Sequence, residues 1–289
     1  MEPLIPLFLM GALLATFLSG SPVLKAWRRQ RLQRTPFPAE WERILLKRLR
    51  FYPRMPELLR QELRRHIPVF LAEKRFYGCG GLEISEAIRV LIAAQACLLI
   101  LNRKTDYYRK LRSILVYPSA FIVHRELVDE AGVCTTRREP RIGESWEVGR
   151  VIIAWDEVEG DAEGRFEGEN VVLHEFAHQL DQEDGIADGT PLLDSVARYR
   201  MWVDVLGSEF RTLRDRASRG EATVMAHYGA KDAGEFFAVA TESFFEQPER
   251  LSKEHPALYA ALRDYYRVDP AAWHQLLINI DVDNLDKAP

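Results

Sequence analysis

The chain has 289 residues, of which 47% are hydrophobic and 28% are charged, with a formal net charge of -4. This composition excludes an intrinsically disordered chain, and the length suffices for one large domain with an extension. The acidic net charge argues against direct nucleic-acid binding, which usually relies on a basic domain. The cysteines Cys79, Cys97 and Cys134 are too few and too widely spaced for a disulfide framework. We therefore expect free thiols in a reducing compartment.

The chain begins with an apolar segment. Residues 3–24 contain no charged side chain, and a helix of about 20 apolar residues is long enough to cross the hydrocarbon core of a bilayer. Five basic residues follow within residues 25–34, which places the rest of the chain in the cytoplasm by the positive-inside rule. We therefore expect residues 4–24 to form a single-pass anchor in the inner (cytoplasmic) membrane.

Two other interpretations of this segment stay open. A cleaved signal peptide would need basic residues before the apolar run, whereas here they follow it. The segment could also be an ordinary helix of a cytoplasmic protein, although Pro3, Pro6, Gly11 and Gly20 weaken a helix there.

The domain organisation follows from these features. We predict an apolar and basic segment over residues 1–35, a folded domain over residues 40–275 and a C-terminal tail over residues 276–289. Pro36-Phe37-Pro38 is typical of a short linker into the folded domain.

The predicted elements change in kind along the domain. Residues 40–75 have helical spacing, and the apolar run 86–101 is too short for a second membrane span, so it predicts a buried core helix. Strand patterns follow at 113–117, 121–124, 145–148 and 150–155. Helical patterns return at 170–181, 194–217, 232–246 and 256–267. Helices, then strands, then helices indicate an α+β fold.

A histidine pair in the first of these later helices carries the chemistry. His174 and His178 are four residues apart, so a helix presents both imidazoles on one face. Two imidazoles one turn apart suit one zinc ion, and Glu175 projects beside it as a general base. Unpartnered polar groups on such an apolar helix are costly to bury, and a metal ion removes that cost. The motif HExxH therefore predicts a catalytic Zn²⁺ site.

The third protein ligand is less clear from spacing. A third histidine of the metzincin type is excluded, because Asp181 and Asp184 occupy the positions of its glycine and histidine. A glutamate on a later helix is the other common solution, and Glu235 and Glu242 lie seven residues apart on one helix face. Spacing does not choose between them. Tyr228, just before this helix, could place a phenol near the metal.

Two neighbouring features have alternative interpretations. The strand 151–155 precedes the histidine helix, so it is either a sheet edge on which a peptide substrate could add as a strand or a wholly internal strand. Asp181 either accepts a hydrogen bond from a metal-binding imidazole or lies at the surface.

Five segments together resemble the Mlc titration factor A family of zinc metallopeptidases, which is related to the catalytic domain of anthrax lethal factor. The resemblance extends over residues 65–272. It is carried by residues 114–123, Glu144-Ser-Trp146, residues 151–155, His174-Glu-Phe-Ala-His-Gln-Leu-Asp181 and Glu235-Phe-Phe-Ala-Val-Ala-Thr-Glu-Ser-Phe-Phe245. The family resemblance implies a zincin-like metallopeptidase domain with a small mixed sheet and an active-site helix.

The resemblance also implies roles for single residues. It implies His174, His178 and Glu235 as ligands of one zinc ion, Glu175 as the general base, and Tyr228 as a catalytic tyrosine. The implied activity is aminopeptidase-like hydrolysis of a peptide or protein through a zinc-bound water. The implied protein partner is a transcriptional repressor. The alternative is a membrane-associated regulatory or binding protein that uses the same scaffold with little hydrolysis.

Overall fold

The computed structural model describes residues 22–119, 121–128, 134–141, 143–144, 149–163 and 168–273. These residues form an α+β domain in which helices surround a small sheet. The helices are α1 (Pro22–Gln33), α2 (Ala39–Arg48), α3 (Glu57–Glu73), α4 (Glu86–Leu98), α5 (Trp155–Glu163), α6 (Val171–Asp181), α7 (Val196–Ser218), α8 (Ala233–Glu246), α9 (Pro248–Glu254) and α10 (Pro256–Tyr266). The strands are β1 (Arg75–Gly78), β2 (Ser113–Tyr117), β3 (Phe121–Val128), β4 (Cys134–Arg141), β5 (Gly143–Glu144) and β6 (Arg150–Ala154).

The main sheet has the strand order β1-β2-β6-β5. Strands β1, β2 and β6 are parallel, and β5 pairs with β6 in the antiparallel sense. In β2 the side chains alternate, so that Ile114 and Val116 are fully buried while their neighbours are partly exposed. Strands β3 and β4 form a separate antiparallel hairpin. The predicted α+β class is confirmed.

Strand β6 is internal, so of the two interpretations of residues 151–155 the open sheet edge is wrong and the internal strand is confirmed for residues 151–154. It pairs with β2 on one side and with β5 on the other, and Trp155 begins helix α5. The apolar pattern of the strand indicates only that it is buried. Central strands and covered edge strands are both buried, so the pattern does not distinguish them. Among the described residues, β5 lies at this edge of the sheet.

Helix α4 forms the centre of the core. Ser85 caps it, with Oγ accepting a hydrogen bond from the Ile88 N–H at 3.2 Å, and every residue from Val90 to Leu98 is buried. The predicted buried core helix is therefore confirmed. No helix in the described part of the chain combines the length and the apolar character that a membrane span requires. Residues 4–21 of the predicted anchor lie outside the described residues.

The later helices agree with the sequence pattern. The four helices predicted after residue 170 correspond to α6, α7, α8 and α10. The short helices α5 and α9 were not predicted, because seven to nine residues give too little periodicity to distinguish from a loop. The predicted strand at 145–148 and the tail 276–289 lie outside the described residues.

Helix α6 is held between two packed faces. One face lies along α8. On another side the Phe176 ring packs against the rings of Phe70 and Tyr108, with centroid separations of 5.7 and 5.0 Å. Aromatic contacts of this kind fix the helix in rotation about its axis. The side chains that α6 presents to α8 are therefore fixed in direction.

Candidate metal centre

Helix α6 begins at a specific cap. The Asn170 Oδ1 accepts a hydrogen bond from the Leu173 N–H at 3.0 Å, which satisfies one of the free amide groups at the start of the helix. No glycine or proline interrupts the following 11 residues. The helix therefore carries His174 and His178 one turn apart on the face toward α8.

Three donor atoms converge between α6 and α8. The His174 Nε2 lies 3.2 Å from the His178 Nε2, and the Glu235 Oε2 lies 3.1 Å from the former and 3.3 Å from the latter. Donors bound at about 2.0–2.1 Å to a tetrahedral ion are about 3.3 Å apart. The three atoms thus form one face of a tetrahedron of the size that such an ion requires. The structure identifies these three residues as a group that could hold a metal ion.

The geometry distinguishes the two glutamates that spacing left equivalent. Glu235 turns its Oε2 toward both Nε2 atoms. Glu242, two turns further along α8, lies behind His174, and its Oε1 accepts a hydrogen bond from the His174 Nδ1 at 2.7 Å. Its Oε2 accepts a hydrogen bond from the backbone N–H of Asn170. Because Nδ1 donates to Glu242, the neutral imidazole has its lone pair on Nε2, where a metal ion would bind.

The second oxygen of Glu235 is held from the solvent side. Its Oε1 accepts hydrogen bonds from the Tyr228 hydroxyl at 3.0 Å and from the Lys231 ammonium at 2.8 Å. The Tyr228 side chain is 55% exposed, and its ring centroid lies 5.9 Å from that of His174. The predicted tyrosine is therefore at the mouth of the site. Lys231 was missed, although its spacing of four residues before Glu235 is the signal of an ion pair.

The charges of the site favour a cation at its centre. Burial lowers the pKa of His174, but the carboxylates of Glu242 and Glu235 outweigh it and raise the value to about 10. Burial raises the pKa of Glu235, but hydrogen bonds from His174, His178 and Lys231 hold it far below its ordinary value. Both shifts favour positive charge between α6 and α8, which a divalent ion would supply.

Glu175 is buried and has a free acceptor atom. The side chain is 3% exposed, and its Oε2 has no hydrogen-bond partner among the described residues. Burial raises the pKa of this carboxyl to about 8. A buried carboxyl without a partner is costly for stability, so it points to a role in binding or proton transfer.

Asp181 follows neither of the two predicted interpretations. It is fully buried, so it is not a surface carboxylate. Its Oδ2 accepts a hydrogen bond from the Gly189 N–H at 2.9 Å, whereas the observed acceptor of a site imidazole is Glu242. Asp181 therefore fixes the loop that follows α6, and Trp202 fixes the same loop by donating its Nε1–H to the Gly189 carbonyl at 3.0 Å.

The donor set agrees with a catalytic metal. Two imidazoles and one carboxylate are donors that divalent transition metals accept, and three protein ligands leave one tetrahedral position open. Glu242 holds the His174 ring through Nδ1, on the side away from the other two donors. Tyr228 and Lys231 hold the Glu235 carboxylate from the solvent side. Such fixation is typical of metal sites in which ligand orientation matters.

Comparison with known proteins gives the family. The model of the family "Glucose-regulated metallo-peptidase M90" matches residues 24–267. An uncharacterized protein of Synechocystis sp., slr2042, is 39% identical over 255 residues, which are 88% of this chain and 93% of that protein. Mlc titration factor A of Klebsiella pneumoniae subsp. pneumoniae is 33% identical over 206 residues, which are 70% of this chain and 77% of that protein. Mlc titration factor A of Salmonella choleraesuis is 30% identical over 252 residues, which are 85% of this chain and 91% of that protein. The chain belongs to the glucose-regulated metallo-peptidase M90 family.

Proposed function

We propose that the protein is a zinc-dependent peptidase with an aminopeptidase-like activity on peptides or proteins. The observation that supports this most strongly is the arrangement of the His174 Nε2, the His178 Nε2 and the Glu235 Oε2 within 3.1–3.3 Å of one another. A buried carboxyl, Glu175, follows the first of these residues directly. A structural zinc site has no need of a base beside an open coordination position.

The residues have separate roles in this proposal. His174, His178 and Glu235 would bind the zinc ion, which would supply Lewis acidity toward the scissile carbonyl and lower the pKa of a water molecule. Glu175 accepts the proton of the attacking water and passes it to the leaving amine. Tyr228 turns its hydroxyl from the Glu235 Oε1 to the carbonyl oxygen of the substrate, where negative charge develops.

Substitution of single carboxylates tests these roles. Glu175→Gln should retain one metal ion per chain and lose peptide cleavage, because the amide cannot accept the proton. Glu235→Ala should lose the metal and the activity together. Metal content by elemental analysis and aminopeptidase assays with a panel of peptides separate these results. Equal cleavage by the wild type and Glu175→Gln would refute the mechanism.

The names of the relatives support a second activity. Several relatives are named Mlc titration factor A, and the resemblance to that family implies a transcriptional repressor as a partner, so we propose that this chain binds one. A chain that binds such a repressor with little hydrolysis is the alternative function. Repressor capture by Glu175→Gln and wild type alike, with no peptidase activity in either, would favour this alternative.

Membrane attachment by residues 4–24 also remains a proposal, supported by the uncharged run and by the basic residues that follow it. It places the catalytic domain on the cytoplasmic side of the inner membrane. Fractionation of cells that express the full chain tests it. Recovery of all the protein in the soluble fraction would support the cytoplasmic alternative.

A further inference from the structure

Helix α1 is fixed to the domain by one face. Lys25 forms an ion pair with Asp106 at 2.7 Å, and Arg29 forms one with Glu73 at 2.6 Å. The guanidinium of Arg29 also lies 4.6 Å above the centre of the Tyr107 ring. The Arg29 side chain is largely buried by these contacts, with 16% exposed. The helix therefore has a fixed inner face, and its opposite face points away from the domain.

The outer face combines apolar and basic side chains. Val23, Trp27, Arg31 and Arg34 are three or four residues apart, so they lie along one stripe of the helix. Val23 is 79% exposed and Trp27 is 53% exposed, and both arginines are exposed. The Arg31 guanidinium lies 5.7 Å from the centre of the Trp27 ring, so the stripe places an aromatic and a basic group side by side at the surface.

The charges on this helix are divided between its two faces. Residues 3–39 contain no acidic side chain. The inner basic residues, Lys25 and Arg29, have acidic partners. Arg28, Arg31 and Arg34 have no salt bridge within the part of the chain that the structure describes. Three basic groups thus remain for an external anionic partner.

The order of the apolar and basic side chains along the outer face of α1 indicates the kind of partner that binds there. The apolar residues Val23 and Trp27 adjoin the uncharged run of residues 3–24, and the arginines lie beyond them. Tryptophan prefers the layer between lipid headgroups and hydrocarbon, and arginine prefers anionic headgroups. A protein or nucleic-acid partner would not require this succession next to an apolar run.

We infer that the outer face of α1 lies on an anionic lipid surface, with Trp27 in the interfacial layer and Arg31 and Arg34 against the headgroup phosphates. This contact positions the domain rigidly against the membrane, because the inner face of the same helix is fixed by ion pairs. It rests on the proposed membrane attachment by residues 4–24 and depends on neither the metal centre nor the proposed peptidase activity.

Vesicle binding of the full chain tests the charged part of this inference. Sedimentation with phosphatidylcholine vesicles, with and without phosphatidylglycerol, is measured for the wild type and for R31E/R34E. An anchor at residues 4–24 would bind both kinds of vesicle, so the ratio of the two partition coefficients isolates the contact made by α1. Each basic group near an anionic surface contributes about fivefold in binding, so the double reversal should lower this ratio at least about 25-fold. R200E/R211E changes the same charge on exposed positions of α7 and should bind as the wild type does.

Fluorescence quenching by brominated lipids tests the position of Trp27. Brominated lipids should quench a part of the wild-type tryptophan emission that is absent from W27F. The emission of W41F should be quenched as that of the wild type is. Binding that is equal on neutral and anionic vesicles, binding that R31E/R34E does not weaken, or an unquenched Trp27 would each overturn the inference. Capture of a protein or nucleic acid by this face, without lipid binding, would overturn it as well.

Discussion

Glu242 offers a sharp test of how the metal centre is held. Glu242→Ala removes the acceptor of the His174 Nδ1–H, which lies 2.7 Å from the carboxylate. The loss of such partners typically weakens metal binding about 10–100-fold, which is about 1.4–2.7 kcal/mol. The substitution also leaves the buried Asn170 N–H without its acceptor, which costs about 1–3 kcal/mol of stability.

The two effects are measured separately. Zinc affinity is determined by competition with a chromophoric chelator, under conditions in which the variant is folded, and stability is determined by urea unfolding of the apo protein. Glu246→Gln is the matched control, because Glu246 lies one turn further along α8 and accepts a hydrogen bond from the Asn170 Nδ2 at 2.8 Å. Its zinc affinity should stay within about twofold of the wild type, since its described contact is with the cap and not with a ligand.

Three results would contradict this reasoning. Unchanged zinc affinity in Glu242→Ala would show that the hydrogen bond to His174 does not orient the ligand. An equal loss of affinity in Glu246→Gln would show that the effect arises from general disturbance of α8. Loss of bound zinc in Glu242→Ala but not in Glu235→Ala would reverse the assignment of the third ligand.

Three further predictions concern other contacts. Lys231→Met removes one of the two hydrogen bonds to the Glu235 Oε1 and should weaken zinc binding up to about tenfold, with Lys231→Arg close to the wild type; unchanged affinity would contradict this role. Gly189→Ala should lower the free energy of unfolding by more than about 2 kcal/mol, because a non-glycine residue is strained in this conformation and the new Cβ would lie 2.3 Å from a backbone oxygen of α8. Gly220→Ala has open space at a similar φ, so it should cost only about 1 kcal/mol, and equal urea midpoints for the two variants would refute the steric argument. Burial lowers the pKa of Lys74 to about 8 from 10.5, so the unfolded chain binds more protons between these values and stability should rise with pH. Between pH 7 and 9.5, the free energy of unfolding of the wild type should rise by about 2 kcal/mol relative to that of Lys74→Met, as measured by urea unfolding. Parallel pH curves for the two proteins would contradict this prediction.

The helix that carries the histidine pair was predictable because its signals are local. An asparagine cap, an uninterrupted helical pattern and the spacing of His174 and His178 all lie within residues 170–181. These signals fix which face carries both imidazoles without reference to the rest of the chain. For the same reason, the capped and mostly apolar helix α4 was predicted as part of the core.

The partners of the histidines required the tertiary structure. Glu235 and Glu242 lie on one face of α8, and spacing treats them alike. Which one contacts Nε2 and which one contacts Nδ1 depends on the axial offset between α6 and α8, which no local pattern encodes. The position of β6 inside the sheet was likewise not predictable from a local pattern. The short strand β5 that covers its edge pairs with it through backbone groups, which leave no side-chain pattern in the sequence.

The packing of Phe176 has a consequence for the supply of the metal. Because α6 is fixed by its contacts with Phe70 and Tyr108, the helix does not depend on an ion for its structure, unlike a zinc finger that is unfolded without metal. We expect the chain to fold first and to acquire zinc afterwards. Cells that are short of zinc would then accumulate an intact, inactive form, and restored zinc would activate it without new protein synthesis.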